Sequence, residues 1–256
     1  MRVEEKEYID AALESAGIED SEDKAGLMLE FMDMVLKRNE VMNLTSITDR
    51  GEFIVNHLLD SISCFGWEEI EAAERIVDVG AGAGFPGIPL AILYPEKQFL
   101  LMDSLRKRVD FIGEAAGVLE LKNVEAIHSR AEDAGRLTGY REAFDLCVSR
   151  AVASLPALLE YCLPFVAKGG CFYAWKTVKT AEEIDGSRLA LDLLGAAREI
   201  EIREPRFIGE GFGLKSGVAP VIGYGHKIFV VKKQRSTPKT YPRKAGIPKK
   251  TPLVKQ

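Results

Sequence analysis

Residues 78 to 87 read Asp78-Val79-Gly80-Ala81-Gly82-Ala83-Gly84-Phe85-Pro86-Gly87, between an apolar run and a helical pattern. Gly80 and Gly82 remove side chains that would hold a ligand off the backbone, and Gly84 permits a tight turn. A loop of this kind, leaving a strand and opening a helix, cradles a nucleotide or nucleoside. In such sites an acid ending the next strand binds ribose hydroxyls; Asp103 follows Gly80 at roughly the 20-residue spacing of that fingerprint.

Two ligand classes share the pattern. A dinucleotide loop keeps a further residue before its third glycine and aims a helix N-terminus at the pyrophosphate. Here Phe85-Pro86 follow Gly84 directly, and Asp78 stands two residues before Gly80. A carboxylate there repels phosphate and suits a cationic amino-acid group. Ala131-Glu132, just past the third expected strand, offers a second carboxylate to an adenine amine. No acid or base for hydride transfer is evident. S-adenosylmethionine is therefore the expected ligand. The rivals are a methyltransferase acting on another RNA, a small molecule or a protein, an NAD(P)-dependent oxidoreductase, and a non-catalytic RNA-binding module. The plainer roles are a loop-stabilising acceptor for Asp78 and a solvated charge at a helix start for Glu132.

The elements that must place these residues alternate. Arg75–Gly80, Gln98–Asp103, Asn123–His128, Phe144–Arg150 and Gly170–Lys176 are short apolar runs bounded by turn or charged residues. Helical stretches at Pro89–Tyr94, Leu105–Gly117 and Leu155–Val166 separate them, which implies a parallel sheet covered on both faces. A helix over Ala181–Ala197 and closing strands at Glu199–Ile208 and Lys227–Lys232 follow, compatible with a final antiparallel hairpin. Before Glu74 the pattern is helical: Tyr8, Ala12 and Ala16, then Leu27, Phe31 and Val35, then Ile54, Leu58, Ile62 and Phe65. The expected architecture is a doubly wound, mostly parallel seven-stranded α/β sheet. Its units are a helical N-terminal segment (1–70), the cofactor domain (71–233) and a basic C-terminal tail (234–256).

Composition narrows the class. Apolar residues make up 46% of the 256 and charged residues 29%, as in ordinary soluble domains. No run approaches a membrane span, and the start lacks the apolar core of a signal peptide, so a cytoplasmic location and no membrane partner are expected. The four cysteines lack metal or disulfide spacing, so reduced core thiols and no metal are expected. The net charge of −5 hides an asymmetry: the segment from residue 232 onward carries nine of the 34 basic residues and none of the 39 acids. A basic, proline-punctuated end on an acidic body suits an anionic polymer, or else a solubilising disordered end.

More specific strings point further. Val77–Ile92 (VDVGAGAGFPGIPLAI), Asp103–Arg108 (DSLRKR) and Ser149–Ala153 (SRAVA) resemble the RsmG (GidB) family of 16S ribosomal RNA guanine-N7 methyltransferases. So do Met42–Ile47, His57–Ser61 and the tail Thr237–Gly246, and the likeness runs from about residue 25 to the C-terminus. The resemblance implies transfer of a methyl group from S-adenosylmethionine to N7 of a guanine in the decoding-region loop of the small ribosomal subunit. The substrate would be 16S ribosomal RNA or a small-subunit precursor, met by a monomeric enzyme. It also implies that Gly80 and Phe85 line the methionine side, where the loop's own pattern adds Asp78, Gly82 and Gly84 to the expected cofactor contacts. Asp103, Ser104 and Leu105 would hold the ribose and adenine edge, Ala131 and Glu132 would read adenine, and Arg150 would close the far side.

The residues agree with that chemistry. Guanine N7 carries an in-plane lone pair, so it needs alignment rather than a general base, and proximity alone can supply ~7–11 kcal/mol. Ser149-Arg150-Ala151-Val152 is not the Asn/Asp-Pro-Pro-aromatic stretch of exocyclic-amine methyltransferases, and no cysteine stands where pyrimidine C5 chemistry places its nucleophile. His57, Asp60 and Ser61 share a helical face. With Asn43 and Thr45 they are expected to line the base pocket, a purely structural role being the alternative. Arg106, Lys107, Arg108, Arg130, Lys239, Arg243 and Lys244 are the expected phosphate contacts. The glycine-rich 209–225 loop could close over the base, an uninvolved flexible connection being the alternative.

Overall fold

The computed structural model describes residues 2–150, 153–177, 181–205 and 226–254. Two antiparallel helices come first, α1 (Arg2–Ser15) and α2 (Ser21–Met42), then a short α3 (Arg50–Phe53) that runs into a π-helical turn at Ile54–Leu59, and α4 (Glu68–Ala72). Alternation then begins: β1 (Arg75–Val79), α5 (Gly87–Leu93), β2 (Gln98–Asp103), α6 (Arg106–Val118), β3 (Val124–His128), α7 (Ala131–Ala134), β4 (Phe144–Arg150) and α8 (Leu155–Cys162). After β5 (Val166–Thr177) come α9 (Ala181–Gly186), α10 (Arg188–Leu194), β6 (Glu201–Arg203), β7 (His226–Lys232) and α11 (Ile247–Lys250).

The seven strands form one sheet in the order β3-β2-β1-β4-β5-β7-β6. β1 through β5 run parallel, whereas β7 is antiparallel to both β5 and β6. The doubly wound α/β sheet and its closing antiparallel hairpin are therefore present. Several boundaries differ from the periodicity. The helix from Leu155 stops at Cys162 and β5 begins earlier, at Val166; the helix expected over Ala181–Ala197 is broken near Ser187. Residues 206–208 of the expected strand Glu199–Ile208, the 209–225 loop, and Ala151 and Val152 lie outside the described residues.

Strand alternation assigns the two faces. Ile76, Phe99, Leu101, Leu146, Val148, Tyr173 and Trp175 point to the side that α1, α2 and the π-turn cover, so Ile9, Leu13, Phe31 and Phe53 share one apolar cluster with the sheet. Val77, Val79, Leu100, Cys147, Phe172 and Val231 face the other side, packed against Leu158, Leu159 and Leu191. All four cysteines are buried free thiols. No described helix is long and apolar enough to cross a membrane.

The C-terminal segment is folded onto this body. Glu160 of α8 is wholly buried and takes a fork from Arg243 at 2.6 and 2.9 Å, together with the Arg243 backbone N–H at 2.7 Å. Arg141 donates to the carbonyls of Thr237, Pro238 and Tyr241. The guanidinium of Arg243, expected on RNA, is thus spent on a buried carboxylate that would otherwise be an uncompensated charge.

Gly84 shows why this packing needs glycine. Its φ is 101°, and a Cβ there would stand 2.8 Å from Ile88 Cγ1 and 3.2 Å from the Phe31 ring. Gly139 has a similar φ of 98° but open space around it. Gly84→Ala is expected to cost about 2–4 kcal/mol, from backbone strain plus overpacking, and Gly139→Ala about 1–2 kcal/mol from strain alone. Urea unfolding of both variants checks the difference; equal losses would show that the close approach of α2 is unimportant.

Candidate functional site

One cleft of about 560 Å³ opens along the carboxyl ends of β1, β2 and β4. Ligands sit at these ends in doubly wound sheets because the loops there carry free backbone groups. Gly80, Gly82, Phe85, Asp103, Ser104, Ala131, Glu132 and Arg150 all lie on its wall, as do Thr45 and His57. The glycine loop bends through positive φ at Gly80 (78°) and Gly82 (62°). A Cβ on Gly82 would meet nothing nearer than the Gly80 carbonyl at 3.9 Å, so the space beside the backbone is open.

Asp103 anchors this loop as well as facing the cleft. Its Oδ2 accepts from Gly82 N–H at 3.0 Å and its Oδ1 from Leu105 N–H at 2.8 Å. Arg108 comes within 3.5 Å of the same carboxylate and also lines the cleft. At the far end, Glu132 Oε1 accepts from Gly246 N–H at 2.8 Å, and no protein donor among the described residues reaches its Oε2. Gly246 and Lys249 stand on the wall, which brings the C-terminal tail into the site.

Near Phe85 the wall is aromatic and cationic. The His57 ring stacks on Phe85 at 4.8 Å with an 18° tilt, and the Arg150 guanidinium lies 5.1 Å from the Phe85 ring centroid. Arg150 is nearly buried and donates to Asp60 Oδ2 at 3.0 Å, to the Asn56 carbonyl at 3.2 Å and to His57 Nδ1 at 3.2 Å. An arginine can only donate, so Nδ1 is the bare nitrogen and Nε2 carries the proton, 2.7 Å from Thr45 Oγ1. Burial, reinforced by the Arg150 charge, lowers His57 to about 3, so the ring is neutral.

Other expected site residues stand elsewhere, each for a local reason. Asp78 shares the Ile76 face of β1, wholly buried and off the cleft wall. Its Oδ2 accepts from Gly87 N–H at 2.9 Å, Oδ1 finds no partner among the described residues, and burial pushes the carboxyl up to about 7. Gly84 packs on Phe31 and Ile88 rather than on the wall. Leu105 is exposed beyond the rim and supplies only its N–H to Asp103. Asn43 ends α2 in the left-handed conformation (φ 47°) with an exposed side chain. Asp60 and Ser61 lie beneath the wall: Asp60 holds Arg150 and, at 3.0 Å, His226, while the Ser61 hydroxyl donates back to the His57 carbonyl. The π-helical turn re-aims these side chains, so the expected shared face divides into His57 in the cleft and Asp60 under it.

Of the expected phosphate contacts, Arg108 and Arg130 are on the wall, Arg106, Lys107, Lys239 and Lys244 are exposed, and Arg243 is paired inward. Sequence reasoning missed Leu44, Ala81, Met102, Ser129, Tyr161, Gly246 and Lys249 on the wall. Most of these adjoin recognised motifs; Tyr161 and Lys249 are distant in sequence and carry no signal that pattern alone reveals.

A family model described as GidB, rRNA small subunit methyltransferase G, matches residues 24–200. The Ribosomal RNA small subunit methyltransferase G of Acetivibrio thermocellus is 44% identical over 239 residues, 93% of this chain and 92% of the relative. The protein of the same name from Alkaliphilus metalliredigens is 39% identical over 251 residues, 98% of this chain and 100% of the relative. Among solved structures, the O-methyltransferase from Bacillus cereus in complex with SAH aligns with a TM-score of 0.51 and 18% identity, over 80% of this chain and 91% of that one, a likeness of fold alone. With the matched segment, the near full-length relatives and the sheet order in agreement, the chain belongs to the GidB family, rRNA small subunit methyltransferase G.

Proposed function

We propose that this chain transfers the methyl group of S-adenosylmethionine to N7 of a guanine in 16S ribosomal RNA, and that the cleft at the strand ends holds both. The observation that carries the reading is the convergence of the glycine loop, Asp103 and Glu132 on one wall that continues, past Phe85, to Thr45, a neutral His57 and a paired Arg150. The residues fit the cofactor: Gly82 leaves its Cβ space open, Asp103 faces the cleft beside the loop it anchors, and one Glu132 oxygen is uncommitted among the described residues. Asp78 acts one layer below, fixing the loop through Gly87. When bound, S-adenosylmethionine supplies a methyl group on a cationic sulfur.

The chain's own residues then have three tasks. The wall from Gly80 to Glu132 positions the nucleoside. His57 and Phe85, stacked on one another, offer a flat apolar platform beside the acceptor base. Because N7 has no proton to lose, a neutral His57 is sufficient, and a cationic one would oppose the charge that N7 acquires. The exposed Arg106, Lys107, Arg130, Lys239 and Lys244 contact phosphate, which gives affinity without base choice. The reading includes a monomeric enzyme in the cytoplasm acting on RNA or on a subunit precursor.

The direct test is methylation of small-subunit RNA from a strain lacking the protein, with the modified position mapped by mass spectrometry; transfer to another atom or no transfer would overturn the reading. Gly82→Ala is expected to lower cofactor affinity at least tenfold by calorimetry while the protein stays folded. Normal affinity would remove the loop from the site.

Phosphate contact by the tail is best probed by single charges. Truncation would also remove Gly246 and Lys249 from the cleft wall. Lys239→Ala combined with Lys244→Ala should flatten the slope of log affinity against log salt by roughly 0.7–0.9 per lost contact, whereas Arg243→Lys should act on stability. An unchanged slope in the double variant would take the tail off the RNA.

His57 makes stability depend on pH. Its value in the fold, about 3, lies below the ordinary 6.5, so between those limits the unfolded chain binds a proton that the fold refuses. Stability is therefore lost as pH falls below the ordinary value. Between about pH 6 and about pH 4 the wild type should lose up to about 1.4 kcal/mol per pH unit relative to His57→Asn. Parallel unfolding curves for the two proteins would mean that the ring titrates normally.

A further inference from the structure

The hydrogen bonds at Thr45 form a closed account. Its hydroxyl oxygen accepts the Ile47 backbone N–H at 3.0 Å. It also lies 2.7 Å from His57 Nε2, and that nitrogen must be the protonated one because Arg150 donates to Nδ1 at 3.2 Å. A hydroxyl oxygen has two lone pairs, and both are now used. What remains is the Thr45 proton, which meets no protein acceptor among the described residues, on a side chain that lines the cleft. The low value of His57 keeps this arrangement through the ordinary pH range, since the ring does not gain a second proton. Thr45 can therefore donate into the cleft and cannot accept from it.

The position of that donor matters for a purine methylated at N7. Thr45 is joined to the His57 ring, which stacks on Phe85 of the glycine loop, so it stands at the Phe85 end of the cleft and away from Glu132. Guanine and adenine both present N7 on the same edge. They differ at the neighbouring position 6, where guanine offers the O6 acceptor and adenine an amino donor. We propose that the Thr45 hydroxyl, fixed as a donor by its two accepted hydrogen bonds, bonds O6 of the target base and is what makes the site choose guanine over adenine. This rests on the assignment of purine N7 as the methyl acceptor. Adenine would set a donor against a donor, with neither able to turn. Arg150 is less well placed to do the same work, because three of its five N–H donors go to Asp60, Asn56 and His57 and its face is covered by Phe85.

The bond serves recognition more than rate. As N7 takes up the methyl group, positive charge enters the ring and O6 becomes a weaker acceptor. Thr45 thus contributes to substrate binding and nothing extra in the transition state, so its loss belongs in KM.

The test uses small-subunit ribosomal RNA ligated to carry either guanine or 2,6-diaminopurine at the methylated position. The second base keeps N7 and the 2-amino group and replaces O6 by an amine. Wild-type enzyme should prefer guanine by at least tenfold in kcat/KM. Thr45→Val should lose about tenfold to a hundredfold on guanine, chiefly in KM, and nothing on 2,6-diaminopurine. Thr45→Ser, which keeps the hydroxyl, should restore the preference, and calorimetric affinity for S-adenosylmethionine should be the same in all three proteins. Equal losses on both bases in Thr45→Val would make the residue structural and overturn the proposal, as would a wild type that uses both bases alike. If wild-type enzyme transfers no methyl to guanine N7 at all, the underlying function has failed, and this assignment fails with it.

Discussion

Arg150 carries its charge to the carboxyl end of the central sheet, where water scarcely reaches it. A cation in such a place is tolerated only beside a counter-charge, and leaving it unpaired costs several kcal/mol. Asp60 supplies the counter-charge, the Asn56 carbonyl and His57 Nδ1 accept two further hydrogen bonds, and all three partners come from the N-terminal helical segment. This requirement ties the helices to the sheet at the site as firmly as the apolar cluster beneath ties them along its face. The pair is weak as a source of net stability, because desolvation offsets most of the Coulomb gain. Its effect is geometrical: it allows one arrangement of the π-helical turn against β4.

From that arrangement the rest of the pocket follows. Arg150 selects the tautomer of His57, His57 sets the hydrogen bonding of Thr45, and the stacked Phe85 transmits the position of the ring to the glycine loop. Extra residues in a helix turn cost hydrogen-bond geometry and are retained where a side chain must be re-aimed. Here the turn lifts His57 into the cleft while Asp60 remains underneath with Trp175 Nε1 on its carbonyl at 2.9 Å. A regular helix through the same residues would present His57, Asp60 and Ser61 together.

Basic side chains divide into two populations. Arg141, Arg136, Lys233 and Arg243 satisfy carbonyls and carboxylates that fold the C-terminal segment onto α8 and α7. Arg106, Lys107, Lys239 and Lys244 point to solvent. The first group makes the tail a wall of the cleft, through Gly246 and Lys249. The second leaves a positive rim on a body that is otherwise acidic, which is the charge pattern a polyanion needs to approach.

The alternation of short apolar runs with helices determined the five parallel strands, because strand and helix periods are imposed by burial on each segment separately, whereas the strand order and the closing hairpin came from the fold. That the glycine loop and Asp103 would meet at one cleft was legible for a similar reason: both sit at the ends of neighbouring strands, a short way apart along the chain. Asp78 was not, since its role turns on which face of β1 it occupies, and that face is chosen by what packs there. Gly84 was read as a turn glycine beside the ligand, and its part in packing was not legible, because Phe31 approaches it from 53 residues earlier. Arg243 and Glu160 show the same limit: a charge in sequence is neutral as to partner, and only the folded chain brings a buried carboxylate within 2.6 Å of it. Local order follows from local pattern, whereas the partner of a charged or polar group is set by chain segments that meet only once the core has formed.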